Sequence, residues 1–378
     1  MAVFSMNDLV ATDDVRKQIK FGKKIFQFKA SRYTDALLES IDETIRHHMP
    51  NATEQEREDI FYRSIYDYWT YGSSIQEEFY FDFLHKTDAQ KRQYVTIMQH
   101  VLYCKHLNKQ EDAHLLMNKY ETYCLLKDFY KRDVILIQND DDYPVFCEFV
   151  KKHPVFVVKP TDWWQAMGVY KETCTGTTEQ LRRELFYKLL DKGVQYQSQN
   201  RDGKEISVVL EELIDQGEEL KRFHPQSVNC VRCNTIRVDG KVQIYRPSLK
   251  MGIHGRFVSS GFLRCPIAGI NAVTGVIETV GVTEDLKRYK THPDTGETII
   301  GNQIPAWDEL KKLAVEIANQ FPTLNFIGWD LAWSTKGWCV MEGNEKPEFG
   351  WQRTWGFAGR KEFEDLIGWK NDKEFWWK

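Results

Sequence analysis

The sequence lacks long apolar runs. No apolar run in its 378 residues approaches the roughly 20 that a membrane-spanning helix needs. The N-terminus also lacks the charged, apolar and small-residue pattern of a signal peptide. We therefore expect a soluble, cytosolic (cytoplasmic) protein with no membrane span.

An excess of positive charge is missing as well. Lysine and arginine total 51 and aspartate and glutamate 55, which gives a net charge of -4 with both signs interspersed. Such a surface offers no basic field for nucleic acid. We expect no nucleic-acid partner.

The cysteines do not form a zinc-site pattern. Of eight cysteines, Cys230 and Cys233 form a Cys-x-x-Cys, and no second pair completes a zinc site. In a cytosolic chain we interpret the cysteines as reduced core residues, with a metal or redox role as the alternative.

Hydrophobic and aromatic residues are plentiful, at 42% and 13%, enough for a large core and two or three domains. Up to about residue 130, three- and four-residue spacing predicts helices over 34–48, 54–69, about 88–105 and 111–127. Beyond it, short strands alternate with helices.

Two local patterns in the second part are clear. The Asp239-Gly240 turn predicts a hairpin of strands 235–238 and 242–246. An amphipathic pattern over 306–320 predicts a helix that leads into the strand after it.

Asp330, Glu342 and Asn344 form a candidate metal site. Aromatic and β-rich runs at 326–333 and 338–341 flank a Ser-Thr-Lys-Gly turn and predict a hairpin. Because side chains alternate along a strand, Glu342 and Asn344 share a face and can converge with Asp330. Three oxygen ligands suit Mg²⁺. The alternative is an ordinary hairpin with polar residues facing water.

Two strands end in charged residues. An apolar strand over 154–158 ends at Lys159, whose ammonium could reach a nucleotide phosphate; the alternative is a surface lysine. A strand from Ile206 closes with Glu211 and Glu212, and such a strand can present backbone groups to an adenine edge.

The order of these segments resembles the ATP-grasp superfamily, which includes D-alanine-D-alanine ligase. Further segments resemble its sugar-transfer-associated family, over about Trp69 to Trp355. These segments are Lys127-Asp-Phe-Tyr-Lys-Arg132-Asp-Val-Ile, Ser227-Val-Asn229-Cys-Val-Arg232, His292-Pro-Asp-Thr-Gly296, Ile304-Pro-Ala-Trp307 and Gly328-Trp-Asp330. The resemblance implies an α+β ATP-grasp fold, two α/β subdomains clasping ATP, with a helical N-terminal region.

The resemblance also implies residue roles. It implies that Lys159 contacts the ATP phosphates and that Glu218 or Glu219 contacts the ribose. Lys119 matches a lysine that opens the ATP-grasp domain, and a surface residue of a helix is the alternative. The remaining implied groups are an adenine hinge of Glu211, Glu212, Leu213 and Ile214, Mg²⁺ ligands Asp330, Glu342 and Asn344, and polar residues Asn229 and Arg232 facing the phosphates or the acyl group.

Three cations on or near one hairpin complete the candidate catalytic set. Arg232, Arg246 and Lys250 could hold a carboxylate and a transferring phosphoryl group. An ordinary solvated hairpin face is the alternative.

The chain departs from the family in three places. The segment Thr161 to Gly168 contains a single glycine, where many relatives have a glycine-rich loop over the phosphates. Its Trp163-Trp164 pair forms a hydrophobic lid or packs in the core. The loop from Gly255 to Cys265 lacks the Asp-Asn and Gly-Gly pairs expected in the family, and the helical N-terminal region replaces a βαβ domain.

We predict three regions: a helical region over 1–115, a first ATP-grasp subdomain over 116–215, and a second, with the metal site, over 216–378. The predicted function is ATP-dependent ligation of a carboxylate and an amine through an acyl phosphate, with Mg²⁺. A saccharide or its precursor is a candidate substrate from family association. The alternatives are a phosphotransferase to a hydroxyl and a nucleotide-binding module without turnover.

Overall fold

A computed structural model describes residues 4–163, 167–176, 178–199, 205–259 and 264–377. The chain divides into two compact units. Met1–His106 and Glu348–Lys378 form the first unit, and Leu107–Pro347 form the second. The structure thus groups the last segment with the N-terminal helices, while the predicted bounds at 115 and 215 stay predictions.

The first unit is helical. Its helices are α1 (Val15–Phe28), α2 (Asp35–His48), α3 (Glu54–Tyr71), α4 (Ile75–Tyr80), α5 (Asp88–Lys91), α6 (Ile97–Leu107, which ends in the second unit), α13 (Trp351–Trp355) and α14 (Arg360–Ile367). The C-terminal aromatics join its core, since Trp376 stacks on Trp69 at 5.8 Å between ring centroids. Among the described residues, no helix combines the length and apolar character that crossing a bilayer requires.

Two predicted helices are broken in the structure. The helix expected over 88–105 is instead α5 and α6, and in the segment between them the Thr96 hydroxyl donates to the Tyr71 carbonyl at 2.7 Å. The helix expected over 111–127 becomes α7 (His114–Met117) and α8 (Lys119–Tyr130). Asn118 accepts hydrogen bonds from the Tyr120 and Glu121 amides and thereby caps a new helix.

The second unit contains a four-stranded antiparallel sheet. Its strands are β1 (Val134–Ile137), β2 (Val155–Pro160), β3 (Tyr170–Thr173) and β4 (Val208–Glu212), in the order β1-β4-β2-β3. Apolar side chains from α9 (Tyr143–Lys152) and α10 (Glu179–Gln199) pack on it, including Phe146 and Phe186. The sheet therefore holds both charged strand ends, since Lys159 pairs with Val209, two residues before Glu211.

The unit also contains a seven-stranded antiparallel sheet. Its order is β11-β10-β5-β6-β7-β8-β9, with β5 (Cys230–Val238), β6 (Lys241–Lys250), β7 (Ile267–Gly269), β8 (Gly281–Val282), β9 (Arg288–Tyr289), β10 (Phe326–Ser334) and β11 (Gly337–Asn344). One sheet face packs on α12 (Trp307–Asn319) through Ile327, Leu331 and Val340. A short helix, α11 (Glu218–Lys221), lies between the sheets in sequence.

Both predicted hairpins are present. Val238 pairs with Lys241 across the turn, where Asp239 and Gly240 have φ of 49° and 74°, as a two-residue hairpin turn requires. Ser334 pairs with Gly337 in the second hairpin. The helix predicted over 306–320 is α12.

Candidate functional site

The three predicted metal ligands lie on one face of the seven-stranded sheet. Asp330 on β10 pairs directly with Glu342 on β11, and Gly328 pairs with Asn344. Directly paired side chains point to the same side of a sheet. The face thus carries two carboxylates and an amide, as the alternation predicted.

A bulge adjusts this alignment. The register shifts so that Asp330 pairs with Glu342 while Leu331 pairs with Val340. Met341 is therefore the extra residue on β11. The bulge keeps Val340 on the α12 side of the sheet and Glu342 beside Asp330, because an added residue reverses the alternation.

Asp330 is held by two cations. Arg232 pairs with it across β5 and β10, donating from Nε to Oδ1 at 2.7 Å and from Nη2 to Oδ2 at 3.0 Å. Lys250 Nζ lies 3.2 Å from Oδ1 and 3.3 Å from Oδ2. Burial raises the pKa of the Asp330 carboxyl, but the two cations outweigh it and lower the pKa to about 2. Asp330 is therefore a carboxylate at neutral pH.

The charged strand ends of the smaller sheet also meet. Lys159 Nζ lies 2.9 Å from Glu211 Oε2, and Arg132 donates to the same oxygen from Nη2 at 2.8 Å. Arg132 Nη1 also donates to the Val340 carbonyl. Burial raises the pKa of Glu211, but Arg132 and Lys159 lower it to about 2. Glu211 thus fixes Lys159, and Arg132 ties this pair to β11.

Lys119 begins α8 at the edge of the same region. Its backbone amide donates to the Thr161 carbonyl at 2.8 Å, and its ammonium donates to the Trp163 carbonyl. Burial lowers the pKa of the Lys119 ammonium, while Glu342 acts in the opposite direction. Lys119 is thus a partly buried lysine whose pKa is influenced by Glu342, a predicted metal ligand.

The predicted hinge lines a small cleft. Glu212, Leu213 and Ile214 face this cleft together with Arg132 and Lys336. Burial raises the pKa of Glu212, but the Asp133 amide and Lys336 lower it. Three of the four predicted hinge residues therefore border a cavity, Glu211 being the exception, and their adenine-binding role stays a prediction.

The two predicted ribose ligands differ. Glu219 Oε2 accepts from the Trp333 indole at 2.7 Å, and Trp333 lies on the α12 side of β10, opposite Asp330. Glu218 is exposed, with Lys221 at 2.7 Å. Glu218 is thus the more available of the two, and both roles stay predictions.

Asn229 and Arg246 are the other two predicted catalytic residues. The Asn229 amide is fully buried, donates to the carbonyls of Leu220 and His224 at 2.9 Å each, and accepts from the Gly252 amide at 3.1 Å. These contacts describe a structural anchor. Arg246 has φ of 45° in the irregular part of β6. Their catalytic roles stay predictions.

Two residues of the site were not assigned a role from the sequence. Arg132 was part of a family-like segment, but nothing in the spacing connects it with Glu211. Gly328 leaves room for Arg232, because a Cβ there would lie 3.1 Å from Arg232 Nη1. The signal that could have found Gly328 is its place two residues before Asp330, on the same face.

The glycine-poor segment is only partly described. The Trp163 ring packs against Tyr196 at 4.8 Å between centroids, while residues 164–166 lie outside the described residues. In the loop from Gly255 to Cys265, residues 260–263 do as well. The choice between lid and core packing for the Trp163-Trp164 pair therefore stays open.

A second group of ligand-type atoms, from Asp133, His153 and Glu212, lies within 4.8 Å. Each carboxylate has a lysine partner, Lys152 at 3.6 Å from Asp133 and Lys336 at 3.0 Å from Glu212. Asp133 also lies 2.9 Å from His153 Nε2. Since these partners neutralise the group, we do not assign a metal to it.

A family model described as sugar-transfer associated ATP-grasp matches residues 98–356. This is most of the chain. The protein belongs to the sugar-transfer associated ATP-grasp family. The ATP-grasp fold expected from the sequence is thereby confirmed, and the helices of the first unit confirm the expected helical N-terminal region. No curated protein sequence matches the chain.

Similar solved structures are distant from this ATP-grasp chain. D-alanyl-alanine synthetase A from Vibrio cholerae O1 biovar eltor is 13% identical, with 68% of this chain and 62% of that one covered and a TM-score of 0.40. D-alanine-D-alanine ligase from Helicobacter pylori is 16% identical, covers 70% and 64%, and has a TM-score of 0.41. N5-carboxyaminoimidazole synthase from Aspergillus clavatus is 7% identical, covers 74% and 60%, and scores 0.40. The chain spans less than two thirds of each.

The residues fit the groups that ATP-grasp proteins use. Asp330, Glu342 and Asn344 offer the oxygen ligands that Mg²⁺ prefers. Lys159 is a fixed ammonium, 13% exposed, suited to phosphate oxygens. Asp330 can hold Mg²⁺ on one condition: its hydrogen bonds to Arg232 must weaken, because the carboxylate already accepts from that side chain.

Proposed function

We propose that this ATP-grasp protein is an ATP-dependent ligase that joins a carboxylate to an amine through an acyl phosphate. The observation that supports this proposal is that oxygen atoms able to bind a metal ion and side-chain cations able to bind an anion share one face of the sheet. Asp330 pairs with Glu342 on one side and with Arg232 on the other. Such a face suits a reaction that brings a metal-bound phosphate chain to a negatively charged acceptor.

The residues divide the work as follows. Lys159, fixed by Glu211, would hold nucleotide phosphates, and the hinge backbone from Glu212 to Ile214 would receive the adenine edge. Asp330, Glu342 and Asn344 would hold Mg²⁺. When bound, ATP would supply the γ-phosphoryl group, and Mg²⁺ would neutralise the negative charge that develops on it.

Arg232 and Lys250 would position the substrate carboxylate. Their side chains are 13% and 14% exposed, so they are accessible to a ligand yet largely shielded from water. The substrate carboxylate oxygen attacks the γ-phosphorus, and ADP leaves. The amine then attacks the acyl carbon, phosphate leaves with the C–O electron pair, and the amine proton is lost. Water must be excluded because it would hydrolyse the acyl phosphate.

The substrate class is part of the proposal. The family description associates the chain with sugar transfer, and this supports testing a saccharide acid, an amino sugar, or a precursor of either. Cytosolic location belongs to the proposal too.

Hydroxylamine trapping tests the reaction. The protein, Mg²⁺, ATP and a panel of acids, with sugar acids included, should give a hydroxamate when hydroxylamine replaces the amine, because the acyl phosphate forms before the amine is needed. Reactions lacking the acid or ATP are the controls. A phosphoester with no hydroxamate would show a hydroxyl kinase instead, and ATP that is never consumed across acids, amines and alcohols would show a binding module.

A further inference from the structure

We propose that Arg232 and Lys250 are resident counter-ions of Asp330 which a divalent cation must displace, and that this displacement frees Arg232 to bind an anionic substrate group. The inference rests on the metal site of the proposed function. It adds that a single exchange of partners at the Asp330 carboxylate both binds the metal ion and frees an anion-binding side chain.

The geometry leaves the Asp330 carboxylate fully engaged. Both oxygens accept from Arg232, at 2.7 and 3.0 Å, and both also lie within 3.3 Å of Lys250 Nζ. Two parallel N–H···O bonds are the strongest arrangement that an arginine makes with a carboxylate. A metal ion therefore cannot take an Asp330 oxygen without weakening these bonds.

The charge balance points the same way. Asp330, Arg232 and Lys250 side chains are only 13–14% exposed, so their charges are weakly screened by water. A divalent cation added beside Asp330 and Glu342, with both basic side chains still in place, would leave excess positive charge. Moving Arg232 and Lys250 off Asp330 removes this excess from the site, and moving Arg232 alone halves it.

The site holds Arg232 in this position by its local structure. Arg232 lies directly opposite Asp330 in the sheet, and the absent side chain of Gly328 leaves the space next to its Nη1. A guanidinium released from there carries a planar fork that matches a carboxylate or a phosphate. The displaced residue thus becomes the substrate anchor.

Calorimetric titration with Mn²⁺ and no nucleotide tests the exchange. Arg232→Gln should bind Mn²⁺ at least about tenfold more tightly than the parent, because the metal ion no longer has to break a charge-assisted hydrogen bond to Asp330. Arg232→Lys should change the affinity less, since it keeps the charge but loses the fork. Lys159→Gln is the matched control, because it removes a lysine that is paired with Glu211 and leaves both cations on Asp330 in place.

Glu342→Gln separates this inference from the metal site itself. If Mn²⁺ affinity is unchanged in Glu342→Gln, the metal site and the proposed function with it are wrong. If Glu342→Gln loses affinity but Arg232→Gln gains no more than Lys159→Gln, the metal site stands and the exchange is wrong. Thermal melting checks folding, and Lys250→Gln, expected to bind Mn²⁺ more tightly, carries the test if Arg232→Gln does not fold.

Discussion

The ammonium of Lys159 lies 2.9 Å from the carboxylate of Glu211, which also accepts from Arg132 at 2.8 Å. Glu211 is 4% exposed and Arg132 8%. Breaking a buried ion pair by removing one partner leaves an uncompensated charge. The group is therefore important for stability as well as for placing the predicted phosphate ligand.

Glu211→Gln should remove a part of the acid sensitivity of folding. The folded-state pKa of Glu211 is about 2, below the ordinary 4.5. A carboxyl whose pKa is lower in the folded state stabilises the fold fully above its unfolded pKa, and this stability is lost as the pH falls toward the folded pKa. For Glu211 the loss falls between about pH 4.5 and pH 2 and amounts to up to about 3 kcal/mol. Urea unfolding at pH 7 and pH 3.5 should show the parent losing more stability than Glu211→Gln.

The control for that experiment is Glu218→Gln, since Glu218 is 82% exposed. It should follow the parent at both pH values. An equal loss of stability in Glu211→Gln and the parent would mean that the Glu211 ion pairs contribute nothing measurable.

Lys159→Ala should weaken ATP binding or slow phosphoryl transfer, because a fixed charge on the phosphates disappears. We expect an affinity loss of about tenfold or more, measured by calorimetry with a non-hydrolysable analogue. Lys171→Ala is the matched control, an exposed lysine on β3 of the same sheet. If calorimetry and kinetics of Lys159→Ala both match the parent, Lys159 does not contact the nucleotide.

The sequence predicted the parts of the site that depend on strand alternation. Glu342 and Asn344 are two residues apart, and a period of two places them on one face whatever surrounds the hairpin. The Asp239-Gly240 turn was readable for a similar local reason, because two adjacent positive φ values favour such residues.

Contacts between distant segments were not predictable in this way. Arg232 meets Asp330 because β5 lies next to β10, and no periodicity specifies which strands become neighbours. Arg132 meets Glu211 by the same kind of long-range placement. The break at Asn118 had a local signal, since asparagine is a preferred helix cap, but helical spacing on both sides obscured it.

Glu342→Gln should abolish turnover and leave the fold intact, because one charged metal ligand is lost at a partly exposed position. Steady-state rates at saturating Mg²⁺ and a thermal melt measure the two effects. Glu345→Gln, one residue beyond β11 and paired with Lys346, should keep the rate of the parent. An unchanged rate in Glu342→Gln would remove Glu342 from the metal site.

The first unit contains a buried carboxyl, Glu78, whose pKa shifts in the opposite direction to that of Glu211. Lys91 and Asp67 form an ion pair at 2.6 Å with both side chains 0% exposed. Glu78 is also fully buried and accepts from the Ser73 hydroxyl at 2.8 Å. Burial, followed by the negative charge of Asp67, raises the pKa of Glu78 well above its usual value. Glu78 therefore keeps its proton to a higher pH in the folded protein than in the unfolded chain.

Glu78→Gln should make folding less sensitive to high pH. A carboxyl with a raised folded-state pKa keeps its full stability below the unfolded pKa, and loses about 1.4 kcal/mol for each pH unit up to the folded pKa. From pH 5 to pH 8.5 the parent should lose more stability than Glu78→Gln, whose amide keeps the shape and carries no charge. The comparison isolates Glu78, because Glu77, a partly exposed neighbour whose pKa is raised to about 7 by desolvation, is present in both proteins. Parallel stability curves for the two over this range would show that Glu78 does not hold a proton in the folded state.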